Sequence, residues 1–435
     1  MGQRIRYIPL FLLVGCAYFN TYYNAQSFYK KAMNLKKTSP AQARDCFGKA
    51  KEGAIKVLKR YPNSRWADDA LFLLAMCSYY REEYREAIRY YDHFIAAFPE
   101  SKRVKEARFY KALSLRALKE YPSALEAFSS LKDEEGWRER VLLEIAETYY
   151  QTKDYEETTR ILGEFLEEYP KGRRVQEVLL KRANAYFELG QWERATKDYK
   201  AYIAHAYTSE EKAEAKLKLS ECLMKMGKPG EAVSQLKSIE GNYPALEPKR
   251  SLLLGKALLK LGKREEAIKA FQGLGGKEGA EAYFIIGRLY EEKDPEKAIF
   301  YYDSTKLKDP SSDFAIMALK RSSFLQELIK PQPDSTKEDP AKVQFLLAEQ
   351  YLLNLKEPEE ALKEYRKVFK LYPDSPYAPK ALYAQIYILK EVLKKGGYED
   401  IYKRLLEKYP SSLPAQKAKE LIGGESKPGR EEKAG

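Results

Sequence analysis

One pattern of residue types recurs along most of this chain, and it restricts the fold more than any other feature. A small residue is followed nine positions on by an aromatic, three later by alanine, four later by a second large side chain, and in several copies by an aromatic-proline pair. Ala75, Tyr84, Ala87, Tyr91 and Phe98-Pro99 form one copy. Ala146, Tyr155, Thr158, Leu162 and Tyr169-Pro170 form another, and Ala183, Trp192, Ala195 and Tyr199 a third. The second small position falls at 87, 124, 158, 195, 232, 267 and 298, spacings of 37, 34, 37, 37, 35 and 31 residues, and is alanine everywhere except Thr158. An irregular bundle would not keep such a period.

The residue types fit a pair of antiparallel helices. Small side chains such as Ala75 and Ala87 allow two helices to cross closely, while Tyr84 and Tyr91 fill the space toward the next pair. Proline cannot continue a helix, so Pro99, Pro170 and Pro373 end the second helix of their copies. A single pair cannot cover its own apolar face; stacked pairs bury a continuous core. The first pair is expected over 19–36 and 40–61, giving about ten pairs, with 312–330 as a further helix. Joints such as Tyr61-Pro62-Asn63-Ser64, Phe98-Pro99-Glu100-Ser101, Tyr372-Pro373-Asp374-Ser375 and Tyr409-Pro410-Ser411-Ser412 place a serine where it can cap the next helix.

This pattern resembles the tetratricopeptide repeat over roughly residues 20–420, which implies an all-α, TPR-like α-solenoid. The joints and the tyrosine richness (35 residues) are similar to those of BamD-like and CpoB-like envelope repeat proteins. The stretch Phe19 to Ala25 resembles the start of PorW/SprE-type lipoproteins of the type IX secretion system. Proteins of the repeat family hold partner segments in a concave groove.

At the N-terminus, Arg4 and Arg6 precede an apolar run from Tyr7 to Val14 and then Gly15-Cys16. The run is shorter than the roughly 20 residues a membrane-spanning helix needs, and reads as an export signal. Leu13-Val14-Gly15-Cys16 resembles the lipobox of bacterial lipoproteins. That resemblance implies cleavage before Cys16, a lipid on its sulfur and, with Ala17 following, passage to the outer membrane. Each buried methylene contributes about 0.8 kcal/mol, so several acyl chains anchor a protein stably. The expected organisation is a signal peptide (1–15), a main array (16–330), a proline-rich linker (331–340), a C-terminal repeat block (341–422) and a disordered tail (423–435).

Catalytic chemistry finds little support. His93 and His205 are the only histidines, far apart, and no zinc-ligand spacing exists. Cys77 and Cys222 occupy equivalent repeat positions, as packing residues would; Cys46 is the third thiol after Cys16. Gly273 to Glu278 lacks the Walker pattern, with Phe271 and Glu278 where glycine and Ser/Thr are required, and reads as a turn. Acid pairs such as Glu167-Glu168 and Glu291-Glu292 are expected to be solvated. The peptide-carboxylate clamp of some repeat proteins would fall at Phe72, Met76, Phe109, Leu113, Leu143, Glu147, Leu180 and Asn184, which include no lysine; an apolar or aromatic partner segment fits them better. The net charge of +13 is dispersed among alternating signs, as on solvated helix faces rather than a nucleic-acid stripe.

The sequence therefore leads us to expect no enzyme, cofactor, metal, nucleic acid or small-molecule substrate, but a protein-binding scaffold lipid-anchored to the outer membrane and facing the periplasm. Its partners would be envelope proteins, either an outer-membrane barrel or the cell-wall machinery. Outer-membrane protein assembly leads the candidate tasks, with coordination of cell-wall synthesis or type IX-like secretion as alternatives.

Overall fold

The computed structural model describes residues 10–64, 66–329 and 339–423. Residues 1–9 of the expected signal peptide, 331–338 of the linker and 424–435 of the tail lie outside the described residues. Every element among the described residues is helical: 22 α-helices and one π-helical turn, Ile388–Val392. They form ten antiparallel pairs, from Leu10–Leu35 with Pro40–Arg60 to Ala378–Tyr387 with Glu399–Lys408, plus two single helices, Asp313–Ile329 and Leu413–Gly423. The chain is an all-α repeat protein with the solenoid's helix-pair plan. It divides into two compact units, Met1–Gly241 and Asn242–Gly435, a boundary the sequence pattern did not announce.

Within each unit, helices pack mainly on their chain neighbours, and first helices of successive pairs also meet, as Ala67–Tyr80 does with Val104–Ala117. The small positions are where the pattern put them: Ala75, Ala87, Ala112, Ala124, Ala183 and Ala195 are fully buried. Two glycines show why the position must be small. A Cβ on Gly255 would lie 2.2 Å from the Phe271 ring, and one on Gly287 would lie 2.5 Å from Tyr302. The large side chain four residues after the second small position is also buried in every copy compared: Tyr91, Phe128, Leu162, Tyr199, Leu236, Phe271, Tyr302 and Tyr365. Truncating such a side chain to alanine costs about 3–5 kcal/mol for an aromatic.

A second periodicity lies in the backbone. Five residues before the small position of the second helix, the chain turns left-handed at Glu82, Lys119, Lys153, Gly190, Gly227, Gly262 and Lys356. The next amide reaches back to close the first helix, as Glu83 N–H does to Ser78 O (2.9 Å) and Asp154 N–H to Tyr149 O (2.9 Å). This is the Schellman closure, which satisfies carbonyls that the helix leaves orphaned. The copy ending at Ala298 is one residue shorter between its small positions, Gly287 and Ala298, and lacks the left-handed residue. There Asp294 caps the second helix instead, its side chain accepting from Lys297 N–H at 3.0 Å.

The prolines act as expected: the second helices end at Ala97, Glu168 and Leu371, just before Phe98-Pro99, Tyr169-Pro170 and Tyr372-Pro373. The serine caps need correction. Ser101 and Ser375 accept from the amide two residues on, at Arg103 (3.4 Å) and Tyr377 (3.3 Å), inside a turn that precedes the helix. At this joint the chain makes two successive turns, Ser101 N–H to Phe98 O and Val104 N–H to Ser101 O, before helix begins. Ser412 does cap its helix in the expected way, accepting from Ala415 N–H at 3.3 Å.

In the second unit the helices preceding and following residues 330–338 share a core. Phe324 of Asp313–Ile329 meets Tyr351 of Pro340–Leu353 edge to face, 5.6 Å between centroids. The single helix 313–329, expected without a partner, thus lies against the pair that precedes it and the pair that follows it.

Candidate partner-binding surface

The first helices of the pairs carry a run of half-buried aromatic side chains. Tyr79, Tyr80, Tyr110, Tyr149, Tyr150, Tyr186 and Phe187 all belong to it. Rings meet across pairs: Phe47 stacks on Tyr80 at 5.1 Å, and Tyr79 meets Tyr110 edge to face at 5.2 Å. The Tyr80 and Tyr110 hydroxyls lie 3.5 Å apart. Burial pushes the Tyr79 hydroxyl up to about 12 and raises that of Tyr80 further, so both stay protonated and offer hydrogen bonds beside an apolar face.

Charges on the same helices pair between neighbours. Arg103 reaches Asp69 at 2.9 Å, Arg116 reaches Glu144 at 2.7 Å, Lys181 bonds Glu147, and in the second unit Lys256 reaches Glu281 at 2.5 Å. Burial alone would raise the Glu147 carboxyl, but the bonds from Lys181 and Gln151 hold it below the usual carboxylate range. A more enclosed pair lies between the helices of one repeat: Arg182 binds Asp198 through two nitrogens, at 2.6 and 2.8 Å.

The positions compared with a peptide clamp divide in two. Phe72, Met76, Phe109 and Leu143 are buried core and face no partner, so only the remaining four positions can border a groove. Phe72 packs edge to face on Phe94, and Met76 accepts the Tyr91 hydroxyl at 3.2 Å. Leu113, Glu147, Leu180 and Asn184 are half-buried. Asn184 accepts the Tyr199 hydroxyl at 2.6 Å, so repeat packing occupies this polar position.

The residues considered for chemistry fall apart in space or into packing roles. His93 and His205 are exposed on separate second helices. Cys46, Cys77 and Cys222 are free and buried; burial pushes the Cys77 thiol up to about 12 and the Cys222 thiol to about 11. No group of His, Cys, Asp or Glu among the described residues is arranged to hold a metal ion. Gly273 lies in a turn with φ 81°, and the next helix opens at Gly276.

Glu291 departs from the solvated acid expected. Its side chain is 9% exposed; it accepts the Tyr302 hydroxyl and lies 2.5 Å from Arg321. Arg321 also pairs with Glu357, which Arg288 reaches at 2.8 Å, and Arg288 contacts Glu360 at 3.3 Å. Burial, reinforced by Glu357 and Glu360, pushes the Glu291 carboxyl up to about 7 against the pull of Tyr302 and Arg288. Glu168 of the other acid pair is held low by Arg138, 2.5 Å away. A Glu-Glu pair near a helix end carries no mark of burial, because what encloses Glu291 arrives from helices far along the chain.

Cys16 falls within the helix Leu10–Leu35, and its side chain is not among those described. No helix among the described residues is long and apolar enough to cross a membrane.

Comparison with known proteins gives three matches along the chain. Residues 21–139 match the family model described as outer membrane lipoprotein, 142–286 a tetratricopeptide repeat-like domain, and 342–375 a tetratricopeptide repeat. No curated protein matches the chain. Among solved structures, the C-terminal part of a repeat protein from Cytophaga hutchinsonii is 15% identical, with TM-score 0.44, 67% of this chain and 99% of that one covered. A repeat protein from Parabacteroides merdae is 14% identical (TM-score 0.38; 70% and 99%), and Pseudomonas aeruginosa pilF 15% identical (TM-score 0.38; 55% and 99%). Residues 21–139 are thus similar to the outer membrane lipoprotein family, and residues 142–286 and 342–375 to tetratricopeptide-repeat domains.

Proposed function

We propose that this protein is a non-catalytic scaffold, held in the outer membrane by lipid on Cys16, facing the periplasm and binding other envelope proteins along its first-helix face. The match to the outer membrane lipoprotein model, beginning at residue 21 just after Cys16, carries this reading. Tetratricopeptide repeats are protein-interaction modules, and the aromatic first-helix face offers the mixture of ring surface and hydrogen-bonding edges found at protein interfaces. The buried thiols and exposed, separated histidines support the non-catalytic part. Assembly of outer-membrane proteins is the task we favour, and a membrane barrel or its assembly partners the class of protein bound.

The anchor is tested by Cys16→Ala. Wild-type protein should take up labelled palmitate and stay in the outer-membrane fraction after a salt wash; the variant should lose the label and the membrane. Retention of the variant in the washed membrane would falsify the anchor.

A further inference from the structure

We infer that the C-terminal repeat block carries a docking groove for an acidic peptide segment with a bulky apolar anchor, supplied by another protein. The inference rests on the scaffold reading and names the kind of segment one part of it takes.

The groove, about 570 Å³, is formed by three first-position helices, Pro340–Leu353, Ala378–Tyr387 and Leu413–Gly423. Its floor is aromatic. Phe345 meets Tyr365 edge to face at 5.2 Å and tilts against Tyr377 at 5.4 Å, and Tyr365 itself is buried. Its walls expose apolar surface that the fold leaves uncovered: Leu346 is 44% exposed, Tyr387 43% and Leu413 62%. That volume falls within the range of ordinary ligand pockets and admits one or two large side chains.

Charge selects the occupant. Lys380 and Lys417 line the groove, both exposed, and neither has an ion-pair partner among the described residues. Lys380 Nζ lies 4.8 Å from the Tyr377 ring centre, at the aromatic floor. Glu349 is the one acid in the lining. On other first helices Arg116 and Lys181 pair with an acid of the neighbouring helix; Lys380 and Lys417 do not. They attract carboxylates, and the floor takes an aromatic or long aliphatic side chain between them.

The chain's own nearby segments do not suit the floor. Residues 330–338 (KPQPDSTKE) and 424–435 (GESKPGREEKAG) contain no aromatic side chain and no Leu, Ile, Val or Met. Neither of these segments supplies the apolar anchor, and we assign it to another protein.

The test is fluorescence anisotropy of the intact protein with three labelled peptides of equal length: a Phe-Leu pair among Asp and Glu, the same pair among Lys and Arg, and an Ala pair among Asp and Glu. The acidic Phe-Leu peptide should bind at least tenfold more tightly than either other. Lys380→Glu with Lys417→Glu should abolish that preference and favour the basic peptide, and Leu413→Asp should weaken all binding; both alter exposed positions, and unchanged circular dichroism verifies the fold. Equal binding of the three peptides, or variants indistinguishable from wild type, would overturn the inference. So would a dimer that dissociates on Leu413→Asp, which would make a second copy the occupant. Partner crosslinks persisting on the first helices of residues 67–225 would show that only the groove inference had failed; loss of partners there as well would count against the scaffold.

Discussion

The Arg321 guanidinium lies 2.5 Å from the Glu291 carboxylate, with side-chain exposures of 3% and 9%. Arg321 stands on the helix before the proline-rich stretch, and its second partner, Glu357, stands on the far side of it. One enclosed charge cluster thus ties residues preceding 331–338 to the C-terminal block, within a single compact unit. Removing Arg321 takes the nearest countercharge from the enclosed Glu291, and breaking a buried pair in this way costs about 3–5 kcal/mol. Arg321→Met should therefore lower the unfolding free energy of the second unit by that order, read as a lower urea midpoint, while Arg321→Met combined with Glu291→Leu should recover much of the loss. A single variant as stable as wild type would show that the cluster is solvated.

Glu291 also gives the second unit a pH signature. Its carboxyl is raised by burial from an ordinary 4.5 to about 7, in surroundings that include Arg288, Tyr302, Arg321, Tyr351, Glu357 and Glu360. Between these values the folded state holds a proton that the unfolded chain has released. The stability it contributes is complete below the unfolded value and is lost as pH rises through the folded one. Measured against Glu291→Gln, wild type should gain stability when pH is lowered from about 8 to about 5.5. The opposite slope would mean that Arg321 holds the carboxylate charged throughout.

The left-handed turn residues predict opposite effects for two substitutions. Lys153 adopts φ 61°, a conformation that costs a side-chain-bearing residue roughly 1–2 kcal/mol. Lys153→Gly should raise stability by about 0.5–1 kcal/mol, the rest being offset by the freer unfolded chain. Gly227, at the equivalent turn with φ 71°, should lose about 1 kcal/mol on replacement by alanine. Thermal unfolding of the two variants measures both.

Burial protects the thiols. With the Cys77 group near 12 and the Cys222 group near 11, almost no thiolate forms at neutral pH, and neither sulfur is open to reagent. Ellman's reagent should modify Cys77 and Cys222 only after denaturant is added. Rapid labelling of the native protein would show that their helices open readily.

The fold was legible because its determinants are local and repeated. Ala75, Ala87 and Tyr91 specify a close crossing and a filled gap wherever their spacing returns, and Pro99 marks the end of the second helix. The left-handed turn was hidden, because four of its seven positions hold Glu or Lys, residues without a preference for that conformation. The shortened copy shows its missing residue only in the interval from Gly287 to Ala298. At the binding face the same spacing misleads: Phe72 and Leu143 sit where a groove residue could sit, yet both are core, Phe72 packed on Phe94 of its own repeat. Lys380 and Lys417 escaped notice because nothing local distinguishes an unpaired lysine from a paired one, and only the packing of three helices places them beside Phe345 and Tyr365.

Site-specific photocrosslinking in the native envelope tests the binding face most directly. A crosslinking amino acid is placed at Tyr150 or Phe187 on first helices, and at Arg89 or Lys200 on second helices. Envelope proteins should crosslink from the first pair of positions and not from the second. Equal capture from both faces, or capture from the second helices alone, would contradict the claim that the first-helix face is where this scaffold holds its partners.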